Sequence, residues 1–215
     1  MLPYEPQSYV GEGLLCIRGE RTVFTALDFA VAAGDALILS GPNGSGKSSL
    51  LRMMAGLLLP IAGTLWRNGV AVQDDPEYHH ASLHYVGHLD AVKPVLSVAE
   101  NLAFWATVKG DAAQVSNALE RFGLASLAGI SGRILSSGQR RRLNLARIVA
   151  NSAPLWLLDE PAVGLDAASV GILTSIIAEH RAKGGIVILS THTDLGIDDA
   201  ASLHLDDFTT AVLAA

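Results

Sequence analysis

Short apolar runs alternate with helical patterns toward both ends of the chain. The runs Ala36–Ser40, Leu155–Leu158 and Gly185–Ser190 are almost continuously apolar, as strands buried on both faces are. A helical pattern follows the first run over Ser48–Leu57, where a nearby proline ends it, and another over Ala168–Lys183 precedes the third run. This alternation of strands and helices predicts an α/β fold with a parallel sheet.

The middle third of the chain carries helical patterns in place of buried strands. Ser97, followed by Glu100 three residues later, forms a capping box and predicts a helix that runs to about Val108. Two further helices are predicted over about Ala112–Phe122 and Gln139–Ala150. This stretch therefore differs in class from the segments on either side of it.

Length and composition fit one domain that contains a helical insertion. The chain has 215 residues, of which 50% are apolar and 17% are charged, so it has enough apolar residues for a large core. We predict a single domain over residues 1–215, with a core of about 13–91 and 152–215 and a helical subdomain of about 92–151.

Charge, cysteine content and hydropathy narrow the class of protein. The net charge is −6 without a polybasic run, so no nucleic-acid partner is expected. The single cysteine, Cys16, lies in the apolar run Leu14–Ile17, which predicts core packing and a reducing, cytosolic compartment. Met1–Gly13 lacks the pattern of a signal peptide, and no run approaches the about 18 apolar residues of a membrane span. The mean hydropathy of +0.35 is nevertheless high; buried parallel strands explain part of it, and a surface that docks on a hydrophobic partner is expected to explain the rest.

A glycine-rich loop between the first predicted strand and its helix has the spacing Gly-x-x-x-x-Gly-Lys-Ser. In this context the backbone wraps a phosphate and the helix presents its N-terminus to the anion. Lys47 is expected to reach the β- and γ-phosphates, and the Ser48 hydroxyl to bind Mg²⁺. A glycine turn with an incidental lysine is the structural alternative. The predicted nucleotide-binding residues of this segment are Gly41, Pro42, Asn43, Gly44, Ser45, Gly46, Lys47, Ser48 and Ser49.

Two carboxylates, Asp159 and Glu160, follow the buried run Leu155–Leu158. Ligands of open parallel sheets lie at this carboxyl end of the strands. Asp159 is therefore a candidate partner of Mg²⁺, and Glu160 a candidate base that orients and deprotonates water. A strand that simply ends in polar surface residues is the alternative, and the upstream phosphate loop weakens it.

A second candidate anion site lies at the start of a basic helix. Leu135–Gln139 combines serine hydroxyls with the backbone N–H groups of a helix start, and four arginines follow within Arg140–Arg147. By itself this segment is only a helix cap followed by a charged face. Its meaning depends on the other motifs.

Taken together, the motifs resemble the ATPase subunit of ABC transporters. The phosphate loop, the Leu-Ser-x-Gly-Gln segment, Leu-Leu-Asp-Glu-Pro, Gly164–Asp166 and Ser190–His192 occur in that family's order, over about residues 13–195. The resemblance implies a P-loop NTPase core and a head-to-tail homodimer that forms on ATP, with each ATP between one copy's phosphate loop and the other copy's second element. It implies that His192 contacts the γ-phosphate, and that the residues acting on the partner copy are Ser136, Ser137, Gly138, Gln139 and Asp166.

Three positions depart from the family pattern. His88 stands where a glutamine usually links Mg²⁺ to the membrane partner, and a neutral histidine can still bind Mg²⁺-bound water. Arg18 stands where an aromatic ring usually stacks on adenine; a guanidinium can also stack, and Phe24 is a nearby alternative. Ser137 replaces the commoner glycine.

One subfamily, the ATP-binding subunit of cytochrome c maturation systems, is resembled by four features together: Gly-His in place of the glutamine, the Cys-x-Arg-x-Glu-Arg start over Cys16–Arg21, the run Gly184–His192 and the early C-terminus. This implies ATP hydrolysis coupled to the movement or release of haem, integral membrane subunits as partners, and a peripheral position on the cytoplasmic face of the bacterial inner membrane. Haem is then handled by the partners. The alternatives are a transporter ATPase for another cargo, a soluble ABC ATPase acting on ribosomes or DNA, and a regulatory nucleotide-binding module without turnover.

Four histidines and an apolar segment complete the set of candidates. His80, His84 and His88 are spaced four apart, beside His79, which on one helix would suggest a metal or haem site. The intervening residues resemble a strand, for which this spacing does not make a ligand cluster.

An apolar groove near His88, formed by Lys93–Leu96 with Phe104 and Trp105, is predicted to receive a helix of a membrane subunit, although helix core is the simpler reading for Phe104.

Overall fold

Two β-sheets and six α-helices make up the part of the chain that the computed structural model describes, which is residues 4, 7–108 and 114–209. The strands are β1 Ser8–Arg18, β2 Arg21–Ala32, β3 Ala36–Ser40, β4 Ala62–Arg67, β5 Val70–Ala71, β6 Leu83–Val86, β7 Leu155–Asp159, β8 Ile186–Ser190 and β9 Ala201–His204. The helices are α1 Lys47–Met54, α2 Pro76–Ala81, α3 Val98–Val108, α4 Val115–Arg121, α5 Ser137–Ala150 and α6 Ala167–Ala182.

The larger sheet has the strand order β6-β7-β8-β3-β9, and every neighbouring pair is parallel. The three apolar runs of the sequence are its central strands, which confirms the predicted α/β fold with a parallel sheet. Because all strands run the same way, the segments that follow β6, β7, β8 and β3 emerge at one edge. That edge carries the candidate site.

The smaller sheet is antiparallel, with the order β2-β1-β4-β5, and was not predicted. Its register shifts between Gly11 and Leu14, and again on either side of Cys16. Such bulges break the alternation of buried and exposed residues by which a strand is recognised in sequence. Cys16 itself is buried in β1, as expected for core packing.

Alternate residues of β7 face two different hydrophobic clusters. Leu155 and Leu157 pack with the antiparallel sheet and α1, whereas Trp156 and Leu158 pack with α3, α5 and α6. The inserted helices therefore share a core with one face of the parallel sheet. The division into core and helical subdomain stays a prediction.

Helix boundaries follow local capping. The capping box at α3 is present, since Glu100 N donates to Ser97 Oγ at 3.2 Å and Ser97 N donates to Glu100 Oε2 at 2.8 Å. The helix after the phosphate loop ends at Met54, short of the predicted Leu57, because Gly56 turns the chain with a φ of 72°. The predicted start of α4 lies outside the described residues.

A buried histidine gives the fold a pH-dependent stability. The His180 ring stacks on Trp156 with centroids 3.7 Å apart, and burial lowers the His180 pKa to about 4. The unfolded chain, with a histidine pKa of about 6.5, binds the proton more tightly, so the contribution is present above that pH and is lost as the pH falls toward 4.

We expect His180 alone to lower the free energy of unfolding by about 2 kcal/mol between about pH 7 and pH 5. His180→Phe keeps an aromatic ring against Trp156 but cannot take up the proton. Urea unfolding at the two pH values should therefore show a loss about 2 kcal/mol smaller in this variant than in the parent protein. An unchanged loss would show that His180 is not the group that titrates.

Candidate nucleotide site

The phosphate loop connects β3 to α1 and depends on glycines at special backbone angles. Gly44 has a φ of 83° and Gly46 a φ of 109°, both in the region that favours glycine. A Cβ on Gly46 would also lie 2.4 Å from Val23 Cγ1 of the antiparallel sheet. The loop is thus shaped by glycine and held against β2.

Lys47, the first residue of α1, is buried, and its ammonium group folds back over the loop. Its Nζ donates to the Gly41 carbonyl at 2.7 Å and to the Pro42 carbonyl at 3.0 Å. The positive charge is therefore held close to the backbone of the loop. A phosphate bound in the loop would be within reach of this ammonium group.

The adjacent strands β7 and β8 hold the acidic pair. Asp159 is buried and accepts a hydrogen bond from Ser190 Oγ at 2.8 Å through its Oδ1 atom. Its Oδ2 atom is buried and has no hydrogen-bond partner within the described part of the chain. A buried carboxylate oxygen without a donor is a suitable ligand for a divalent cation, so the residues present fit Mg²⁺.

Glu160 follows Asp159 in an uncommon backbone conformation, with a φ of 49°. Its N–H is held by Ser190, at 3.1 Å from the carbonyl oxygen and 3.0 Å from Oγ. This conformation costs a non-glycine residue about 1 kcal/mol or more, and such residues cluster at functional sites. It turns the carboxylate toward the loop after β8.

His192, which follows β8, connects that carboxylate to the phosphate loop. Its Nε2 atom lies 3.4 Å from Glu160 Oε1 and 3.2 Å from Asn43 Oδ1. The imidazole is about half exposed. The phosphate loop, the acidic pair at the end of β7 and the segment after β8 therefore meet at this point, because β7, β8 and β3 are neighbouring parallel strands.

These residues line a cleft of about 600 Å³. Its lining includes the predicted residues Arg18, Asn43, Gly44, Gly46, Lys47, Ser48, Ser49, His88, Asp159, Glu160 and His192, and also Arg21, Val23, Val163 and Thr193. Arg21 was missed because it reaches the cleft as the cross-strand neighbour of Arg18, and sequence alone did not reveal that pairing.

Phe24 is not a base-stacking residue in this structure, which corrects that part of the prediction. Its ring is fully buried in the core cluster between the antiparallel sheet and α1. Its ring is therefore not available to a base in the cleft. The end of the cleft near the antiparallel sheet presents Arg18, Arg21 and Val23 instead.

The second anion element caps α5. Gln139 N donates to Ser136 Oγ at 3.2 Å, and Ser136 N donates to Gln139 Oε1 at 2.8 Å, which forms a capping box. A Cβ on Gly138 would lie 3.3 Å from the Gly164 carbonyl oxygen, so this helix start adjoins the Gly164–Asp166 loop. Hydrogen bonds from Ser169 lower the pKa of Asp166, which caps α6. Within the described residues, neither Ser136–Gln139 nor Asp166 lines this chain's own cleft.

The histidines do not form one cluster on a helical face. His79 and His80 lie in α2, whereas His84 lies in β6 and His88 in the loop beyond it. His79 Nε2 lies 2.8 Å from the Met54 carbonyl oxygen, and His84 Nε2 lies 3.1 Å from that of Asn151. The described residues contain no group of three or more histidine, cysteine or acidic side chains arranged to hold a metal ion.

Comparison with known proteins places this site in a family. The family model described as ABC transporter matches residues 24–163. The chain is 57% identical, over 96% of its length and 89% of the relative, to the cytochrome c biogenesis ATP-binding export protein CcmA of Rhodospirillum rubrum. It is 56% identical to the protein of the same name from Paramagnetospirillum magneticum, over 95% of this chain and 96% of the relative.

The chain belongs to the ABC transporter family. It is an ABC ATPase, which binds a nucleotide and hydrolyses ATP. A solved ABC transporter ATP-binding protein from Pyrococcus furiosus covers 94% of this chain and 100% of its own length, with a TM-score of 0.81 and 25% identity. Another solved ABC transporter ATP-binding subunit covers 91% of this chain and 85% of its own, with a TM-score of 0.83 and 24% identity, and supports the ABC ATPase fold. None of the helices in the described parts of this ABC ATPase has the length and apolar character to cross a membrane.

Proposed function

We propose that this ABC ATPase powers an export step of cytochrome c biogenesis, with ATP bound between two copies of the chain. The observation that carries the proposal is the near full-length identity of 57% and 56% to two proteins with that name. An ABC transporter ATPase works with membrane transporter subunits, so the chain is peripheral, on the cytoplasmic face of the bacterial inner membrane. Haem is handled by those subunits, and no nucleic acid takes part.

Within one site, each side chain has a separate role. Lys47 binds the β- and γ-phosphates; Asp159 and Ser48 would hold Mg²⁺, and His88 would act on it through a water. Mg²⁺, when bound there, would supply positive charge that offsets the charge of the phosphates. Glu160 orients the attacking water and accepts its proton.

His192 contacts the γ-phosphate, and its 3.4 Å approach to Glu160 supports a role beside the water. The barrier is lowered by positioning and electrostatics, because phosphoryl transfer needs little covalent participation by the protein.

The second element acts on the ATP of the other copy. Ser136, Ser137 and Gly138 present a hydroxyl-rich helix start, which suits an anion. Gln139 braces Ser136 through the capping box, and Asp166 lies across the dimer interface. The absence of all five from their own cleft, within the described residues, supports action in trans.

At the other end of the cleft, we propose that Arg18 stacks on the base. Its guanidinium and that of Arg21 are the large groups that line this end, with Val23 beside them. A guanidinium plane stacks on an aromatic base and is less strongly hydrated than an ammonium group. Arg18 can therefore stack on the base, whereas Phe24 cannot because it is buried.

The docking surface for a membrane subunit lies beside the His88 loop. Leu89 is 84% exposed, Val95 78% and Phe104 40%, so this part of the chain presents three large apolar side chains to solvent, with Lys93 Nζ 4.5 Å from the centre of the Phe104 ring. Trp105 is half-buried, with Arg147 Cζ 3.7 Å from the centre of its ring. Phe104 is therefore the more exposed of the two rings. Packing within the helical core describes Trp105 better than it describes Phe104.

Replacing Leu89 and Val95 together by serine should release the membrane subunits without abolishing ATP binding. The test is co-purification of the tagged chain from detergent-solubilised membranes of a bacterium that expresses the complex, with haem absorbance measured on the complex. We expect the double variant to lose at least about 90% of the membrane subunits, because a few apolar contacts dominate such interfaces.

Val70→Ser is the matched control, since Val70 is 49% exposed on the antiparallel sheet, away from this loop. Two results together would indicate another cargo. The complex would form but carry no haem, and cells that lack this chain would still assemble c-type cytochromes normally. Undiminished co-purification by the double variant would place the docking surface elsewhere.

A further inference from the structure

The guanidinium of Arg141 is buried beside the site and does not line the cleft in the described structure. Arg141 is 5% exposed and is the fifth residue of α5, two residues after Gln139. Burial of a charged group is costly unless each of its donors finds an acceptor. Its partners therefore show what the charge holds together.

One set of partners is the turn after β7. Arg141 Nη2 donates to the Asp159 carbonyl at 3.0 Å and to the Glu160 carbonyl at 2.6 Å. Arg141 Nε lies 3.4 Å from the Pro161 carbonyl. Three consecutive carbonyls thus converge on one cation.

The other set of partners is the loop after β6, which carries His88. Arg141 Nη1 donates to the Gly87 carbonyl at 3.2 Å and lies 3.4 Å from Asp90 Oδ1. Asn144, one turn further along α5, also donates to Asp90 Oδ1 and accepts from Ala91 N, both at 3.4 Å. The same face of α5 therefore anchors both loops of the site.

These contacts act on Glu160, which among the described residues of the cleft is the non-glycine residue with a positive φ. Ser190 holds the Glu160 N–H and Arg141 holds its carbonyl oxygen, so the two peptide groups flanking its positive φ are fixed from opposite sides. Without Arg141 the carbonyls of this turn lose their shared donor. The turn could then relax toward an ordinary φ, which would move the carboxylate away from His192.

We propose that Arg141 is a positioning residue that couples the start of α5 to the Glu160 turn and to the His88 loop. When Ser136 engages the ATP of the other copy, α5, the base and the His88 loop then move as one unit. The inference rests on the proposed roles of Ser136 and Glu160. Lysine can supply the charge but not the planar fork that reaches both loops.

The test compares Arg141→Gln and Arg141→Lys with the parent, as full-length chains, by steady-state ATP hydrolysis with Mg²⁺. We expect kcat to fall at least about tenfold in Arg141→Gln with KM within about twofold, since a displaced base impairs chemistry and leaves ground-state binding intact. Arg141→Lys should recover part of the loss. Arg121→Gln is the matched control, because Arg121 joins α4 to α6 through a surface ion pair with Glu179 at 2.6 Å and touches neither loop.

The outcomes separate this inference from the proposed function. A kcat of Arg141→Gln within about twofold of the parent overturns it, as does an equal loss in Arg121→Gln. If Arg141→Gln fails to fold, Arg141→Lys decides: a several-fold lower kcat at constant KM supports coupling, and an unchanged kcat refutes it. If Glu160→Gln, measured alongside, turns over normally, then the assignment of Glu160 fails first, and a full loss in Glu160→Gln with no loss in Arg141→Gln removes only the coupling role.

Discussion

Glu160→Gln should reduce ATP turnover by about 10²-fold to 10⁴-fold while ATP still binds. The carboxamide has nearly the shape of the carboxylate, so the φ of 49° and the hydrogen bonds from Glu160 N to Ser190 are preserved. It cannot accept a proton from water, however. The approach of 3.4 Å between Glu160 Oε1 and His192 Nε2 places the lost charge where the γ-phosphate and the water would meet.

The measurement is phosphate release by the full-length chain, with binding of a fluorescent ATP analogue followed separately. Glu179→Gln is the matched control, since Glu179 lies on the surface of α6 and pairs with Arg121. Normal turnover in Glu160→Gln would remove Glu160 as the base, and would direct attention to His192 as the group that orients the water.

Ser136→Arg should also abolish most turnover, for a different reason. Ser136 does not line its own cleft in the described structure, so a monomer of this variant should bind ATP as the parent does. In a dimer, a bulky guanidinium at this helix start would block closure onto the other copy's phosphates. We expect a fall in kcat of about 10²-fold or more, the size of effect seen when a preorganised donor is removed.

Loss of the helix cap is the competing explanation for such a result, at about 1 kcal/mol. Ser97→Arg controls for it, because Ser97 and Glu100 form the same capping box at the start of α3. The control should keep its turnover within about twofold of the parent. An equal loss of turnover in Ser97→Arg would mean that helix capping, and not contact in trans, explains the Ser136 variant.

The features that sequence predicts well are local in the chain. The phosphate loop, the buried runs of β3, β7 and β8 and the capping box at Ser97 depend on neighbouring residues, whose pattern is read directly. The meeting of Glu160 with His192 at one edge follows from the parallel strands β7 and β8, because their carboxyl ends lie together.

Features that depend on pairing across the chain were not predicted. The antiparallel sheet was missed because bulges near Gly11 and Cys16 interrupt its alternation. The prediction for Phe24 was wrong because the side of the sheet on which its ring lies depends on the register of β2. In the sequence Arg141 resembles the three other arginines of its helix, and only the structure shows its five hydrogen-bond acceptors. Burial, and not composition, distinguishes Arg141 from the exposed Arg140.

The central claim is that one copy's phosphate loop and the other copy's Ser136 bind the same ATP. Light scattering on Glu160→Gln, with and without ATP and Mg²⁺, tests it most directly. We predict a monomer without ATP, a doubled mass with ATP, and return to the monomer when Ser136→Arg is added to Glu160→Gln. A mass that does not respond to ATP, or a doubled mass that persists in the double variant, would contradict the claim.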